Sequence, residues 1–138
     1  MGRTAKFDLV TLFAALADPT RLRLLNLMDG REVCVCYFVE ILKQGQPKIS
    51  RHLAYLRRAG IVETRRDGKW MHYRIVMPSN EGAARVLQDT LQWFKEEKTM
   101  QVDRAKLSKA CCMPEKFVTL QGAPLPAPVE PSTAFASR

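Results

Sequence analysis

Four cysteines fall in two tight pairs, Cys34/Cys36 and Cys111/Cys112. Thiolates are soft ligands, and they select soft or borderline ions over magnesium or calcium. Neither pair closes easily on itself. Neighbouring cysteines form a strained eight-membered ring, and a one-residue gap is nearly as awkward. In a reducing compartment, paired thiols favour metal or redox chemistry over structural disulfides. Trivalent arsenic and antimony prefer three sulfurs in a pyramid, whereas a methylated arsenical needs two. Cadmium or lead accepts three or four, and a structural zinc would take all four thiols. The inventory suits several of these. No neighbouring His, Asp or Glu makes a convincing mixed-ligand site, and Glu32 and His72 are candidates without further support. A zinc site built from His and carboxylates near the C-terminus is disfavoured, because residues 81–110 contain no histidine.

The first pair opens a segment that reads as a helix–turn–helix. "CYFVEILKQG" turns Phe38, Ile41 and Leu42 inward and stops at Gly45. "QPKISRHLAYLRRAG" repeats Ile49, Leu53 and Leu56 at helical spacing, and Gly60 closes it. Lys48, Ser50, Arg51, His52, Tyr55 and Arg58 occupy the opposite face. A helix fits the major groove, where short polar and cationic side chains read base edges. Ser50, Arg51, His52 and Tyr55 are the candidates for bases or nearby phosphates. Arg57 and Arg58 sit towards the helix end, where phosphate is the expected partner. Two β-rich runs follow, "IVETRR" and "WMHYRIV", joined across Asp67-Gly68, a strong hairpin signal. Arg65, Arg66 and Lys69 cluster at its tip, suited to backbone or minor groove.

Two helices precede this unit. Leu9, Leu12, Phe13 and Leu16 form one stripe. Asp18 caps a second helix with Pro19 in its first position, and Leu24, Leu25 and Met28 form its buried face. Residues 79 to about 110 read as a further helix with a broad apolar face. A winged helix–turn–helix accounts for this order: an α+β, mainly α fold with about five helices and a two-stranded hairpin wing. Residues 1–110 form the expected DNA-binding and dimerisation domain. Residues 111–138 form the expected Cys-containing, Pro-rich flexible tail.

The composition agrees. The 138 residues suit one domain, and 22 Lys+Arg against 14 Asp+Glu give a formal charge of +8. Such an excess points to a polyanionic partner such as nucleic acid. No apolar run approaches the roughly 20 residues of a membrane span, and there is no apolar signal core, so a cytoplasmic protein is expected. There is no nucleotide loop, catalytic carboxylate pair or credible triad, so an enzyme is not expected.

Together "LADPTRLRLLNLM", "EVCVC" and "ISRHLAYLRRAGIVETRRDGKWMHYRI" resemble the ArsR/SmtB family of metal- and metalloid-responsive repressors, over roughly residues 9 to 95. Cys34-Val35-Cys36 looks like the thiolate motif of its arsenic-responsive and cadmium/lead-responsive members. The arsenic-responsive pattern places a third cysteine three residues further on, where this chain has Val39. Cys111/Cys112 could replace it, in the same or the partner subunit, or act alone. The resemblance implies a homodimeric winged helix that binds double-stranded operator DNA and releases it when ligand binds. Leu9, Phe13, Leu91, Trp93 and Phe94 are the candidate dimer surface. The first choice of inducer is As(III), with Sb(III) or methylarsenite close behind. Cadmium, lead or zinc, or a thiol-redox switch answering to oxidants, are the alternatives.

In a regular helix, residues two apart point about 200° away from each other. Cys34 and Cys36 can therefore share one small ligand only if the first turn unwinds or if the pair precedes the helix. A ligand that deforms this turn would disturb the support of the recognition helix and so oppose DNA.

Overall fold

The computed structural model describes residues 8–129. Helix α1 spans Leu9–Leu16, α2 spans Pro19–Met28, strand β1 is Arg31–Cys34 and α3 is Val35–Leu42. Helix α4, Gln46–Arg58, leads into a hairpin of β2, Val62–Asp67, and β3, Trp70–Ile75. Helices α5, Glu81–Phe94, and α6, Lys98–Cys112, follow, and then two 3-10 turns and a short β4, Ala127–Pro128.

Local chemistry explains most boundaries. The Asp18 side chain accepts from the Arg21 backbone N–H at 3.0 Å, and Pro19 occupies the first turn of α2 where no donor is needed. Gly68 takes φ +62° in the loop between Asp67 and Trp70, which are paired across the hairpin. The stop of α3 differs from expectation. Lys43, not Gly45, takes the left-handed position at its C-cap with φ +56°, and Gly45 instead begins α4 as its N-cap.

Two strands were not apparent in the sequence. The antiparallel sheet has the order β2-β3-β1-β4, so β1 inserts beside the wing. Val33 faces Tyr73 and Cys34 faces His72 across β1 and β3. The helix expected over residues 79–110 is two helices, broken at Lys95–Glu97. The break lets α6 fold back to place Met100, Leu107 and Ala110 in the core. Polar contacts hold α6 on α2. Asp103, 1 % exposed, accepts from Arg23 at 2.7 and 3.0 Å. Asn26 Nδ2 donates to the Met100 carbonyl at 3.0 Å, and Arg104 donates to the Asn26 carbonyl at 2.7 Å.

The boundary expected at residue 110 falls inside α6. Beyond it the chain is laid on the domain as far as residue 129. Leu120 is buried against α3, Thr119 donates to Glu40 at 2.6 Å, and β4 pairs with β1. A buried leucine and strand pairing explain why the first part of the expected flexible tail is placed. The rest, 130–138, lies outside the described residues.

The inner face of α4, Ile49, Leu53 and Leu56, is wholly buried as its spacing predicts. Leu53→Ala should lower stability by about 3 kcal/mol through lost burial and a residual cavity, read as an earlier midpoint in urea unfolding.

Candidate thiol site and nucleic-acid interface

Cys34 sits at the end of β1 and is also the N-cap of α3, with extended φ −71° and ψ 144°. It therefore precedes the helix, and the 200° problem disappears without unwinding. The Cys36 thiol donates to Cys34 Sγ at 3.1 Å. Cys34 is buried and Cys36 half-buried. The Cys36 S–H, together with the backbone N–H groups of Cys36, Val35 and Met71, outweighs burial and lowers the Cys34 thiol from 9.0 to about 7. Cys36 is pushed upward, because losing its proton would cost that bond and set a second charge beside the first. The pair thus releases one proton near neutrality and keeps the other. Below pH 7 both sulfurs carry protons, and above it one is a thiolate. Capture of a thiophilic ligand should accelerate as pH rises through about 7. Cys36→Ala should move thiolate formation, followed by ultraviolet absorbance, to higher pH.

The second pair stands at the end of α6. Cys111 is half-buried and Cys112 exposed. Burial raises the Cys111 thiol. Tyr37, on α3 beside Cys36, has its phenol pushed up to about 12, first by burial and then by the Cys111, Cys36 and Cys34 sulfurs. Within one chain the two pairs do not merge into one site. Among the described residues, no group of three or more His, Cys, Asp or Glu side chains is placed to hold a metal ion.

On α4, Lys48, Arg51, Arg57 and Arg58 are exposed and Ser50 is half-buried. His52 and Tyr55 are less free than the sequence suggested. His52 Nδ1 lies 3.2 Å from Arg21 Nη1 and 3.7 Å from Asp18 Oδ2, and burial lowers its pKa despite Asp18. Burial would raise the Asp18 carboxyl, but the Arg21 backbone N–H and the nearby His52 and Arg21 charges hold it below its usual value. Tyr55 is stacked, with the Arg21 guanidinium 4.0 Å and the Arg58 guanidinium 5.3 Å from its ring centre. Arg21 also donates to the Ala14 and Ala15 carbonyls at 3.0 and 2.9 Å, closing the end of α1. The sequence reading missed this residue, because its partners come together only when α1, α2 and α4 pack.

In the wing, Arg66 and Lys69 are exposed at the tip, with Lys69 Nζ 5.0 Å from the Trp70 ring centre. Arg65 is committed elsewhere. It donates to Glu32 on β1 at 2.7 and 3.2 Å, which holds the Glu32 carboxyl below its usual range. The sequence does not show this pairing, because β1 was not legible as a wing neighbour.

The candidate dimer residues divide. Leu9, Phe13 and Trp93 are exposed, at 65 %, 49 % and 63 %. Leu91 and Phe94 are buried within the chain and belong to its own core. Leu9, Phe13 and Val86 line a groove of about 270 Å³ between α1 and α5. No helix among the described residues is long and apolar enough to cross a membrane.

Comparison with known proteins agrees with this architecture. A family described as "Bacterial regulatory protein, arsR family" matches residues 18–64. The arsenical resistance operon repressor of Escherichia coli is 39% identical over 104 residues, 75% of this chain and 87% of that protein. The crystal structure of M. tuberculosis Rv0081 aligns with a TM-score of 0.52 at 31% identity, over 67% of this chain and 91% of that one. The transcriptional repressor BigR from Xylella fastidiosa aligns with a TM-score of 0.50 at 33% identity, over 62% and 84%. The chain is a winged helix–turn–helix DNA-binding regulator and belongs to the arsR family of bacterial transcriptional regulators.

Proposed function

We propose that this chain is a homodimeric repressor that leaves its operator when Cys34 and Cys36 capture trivalent arsenic or antimony. The observation that carries the reading is the 3.1 Å separation of the two sulfurs, placed where β1 passes into α3. That junction is coupled to both DNA-contacting parts. Strand β1 pairs directly with β3 of the wing, and α3 packs on α4. A ligand that sets its own angle between the sulfurs alters this junction, and the operator favours the unaltered arrangement. Differential affinity of this kind is what allosteric release requires.

The relative from Escherichia coli is named an arsenical resistance operon repressor, which supports arsenic as the first candidate. A protein chain that covers one half-site needs a partner, since two copies about one helical turn apart read a palindrome. We assign the exposed Leu9, Phe13 and Trp93 to that partner. Lys48, Ser50 and Arg51 contact bases or nearby phosphate, with His52 and Tyr55 positioned behind them. Arg57, Arg58, Arg66 and Lys69 meet phosphate, and Arg65 is held by Glu32. The protein acts in the cytoplasm, where its DNA and a reduced thiol pair coexist.

The test follows a labelled operator by fluorescence anisotropy while arsenite, antimonite, methylarsenite, cadmium and peroxide are titrated separately. Release at the lowest concentration by arsenite or antimonite is expected. Release by cadmium alone makes the protein a sensor of that ion, and release by peroxide alone makes it a redox switch.

A further inference from the structure

His72 is buried on the wing, 4 % exposed, and its Nε2 has no hydrogen-bond partner among the described residues. Burying such a nitrogen without a partner is costly, and an unpaired buried polar atom calls for a physical reason. Its position supplies one. His72 stands directly opposite Cys34 across β1 and β3. Side chains directly opposite in an antiparallel pair share a face, with Cβ atoms about 5 Å apart. Its other cross-strand neighbour, Arg65, is taken up by Glu32. The register therefore sets the imidazole on the face of the sheet that carries Cys34, with the Glu32 carboxylate as its charged neighbour, and no hydrogen-bond partner among the described residues takes Nε2.

We propose that His72 is a ligand-selecting residue: its Nε2 hydrogen-bonds the hydroxyl that trivalent arsenic keeps when Cys34 and Cys36 alone hold it. This rests on the reading that those two thiols capture arsenic. In water arsenite is As(OH)₃. Each thiol forms an S–As bond, its proton leaves with one hydroxide as water, and arsenic stays trivalent. Two waters depart and one As–OH remains. With Val39 where a third sulfur would stand, and no third donor from His, Cys, Asp or Glu in place, the hydroxyl has no thiol to displace it. An imidazole nitrogen can accept from that hydroxyl or donate to its oxygen. Methylarsenite loses both hydroxyls to the two sulfurs and offers methyl at the same position, so it gains nothing from His72.

Arsenite and methylarsenite are titrated spectroscopically into the full-length wild type, His72→Phe and His72→Gln. His72→Phe should weaken arsenite binding about tenfold, the size of one net hydrogen bond, and leave methylarsenite unchanged. His72→Gln should recover part of the loss. Equal losses for both ligands, or no loss, overturn the proposal. X-ray absorption of the arsenite-loaded wild type needs no variant to fold: two sulfurs and one oxygen on arsenic are expected, and three sulfurs overturn it. Cys34→Ser separates the two levels. Undiminished arsenite binding there overturns the thiol-pair reading itself, and this proposal with it.

Discussion

Cys34→Ser should bind the operator as tightly as the unaltered protein and no longer let go of it in saturating arsenite. The side chain lies behind the DNA-facing surface, at the end of β1, and contributes no charge or donor to the duplex. Serine keeps the size and the N-cap geometry, and serine is a favoured N-cap, so α3 should start where it does now. What disappears is the sulfur that the Cys36 S–H and the backbone N–H groups of Cys36, Val35 and Met71 hold ready near neutral pH against the opposing effect of burial. Allosteric couplings of this kind are commonly worth about 1–3 kcal/mol, or roughly 5–150-fold in affinity. The whole of that factor should vanish in Cys34→Ser and in Cys36→Ser, measured by operator anisotropy with and without arsenite. Cys111→Ser and Cys112→Ser should retain it. The opposite pattern places the inducer at the end of α6.

Arg51→Ala should produce the largest loss of operator recognition. Arg51 is exposed on the face of α4 opposite the buried Ile49, Leu53 and Leu56. No contact within the described residues competes for its guanidinium. A bidentate base contact discriminates by about 1–3 kcal/mol, so specific affinity should fall by roughly tenfold to a hundredfold while binding to random DNA falls less. Arg58→Ala should behave differently. It stands at the end of α4 over Tyr55, suited to phosphate. Its loss should weaken all sequences alike and reduce the slope of affinity against salt by about one. Competition binding against operator and random duplex over a salt series separates the two.

Elements governed by neighbouring residues were readable in the chain itself. Asp18-Pro19 announces a helix start, Asp67-Gly68 a tight hairpin, and Ile49, Leu53 and Leu56 a buried helical face. Features made by distant partners were not. Strand β1 is four residues long, and its identity comes from Tyr73 and His72 opposite it. Its presence places Cys34 before the helix and removes the need for an unwound turn. Apolar spacing alone could not divide Leu91 and Phe94, which complete the chain's own core, from Trp93, which faces outward. His52 and Tyr55 have the residue types of DNA contacts, yet Arg21 on α2 and Asp18 at its N-cap claim them. Arg65 likewise looked like a free wing cation until Glu32 came beside it. Charge and spacing identify the surface, and long-range packing decides which of its side chains are free.

The most direct measurement is the dissociation constant of the full-length protein for its operator, at fixed salt and neutral pH, without arsenite and with arsenite at saturation. Thiolate capture at the β1–α3 junction predicts an operator affinity at least about fivefold weaker in the loaded protein. Equal affinity in the two states, with arsenite demonstrably bound to Cys34 and Cys36, would contradict the account.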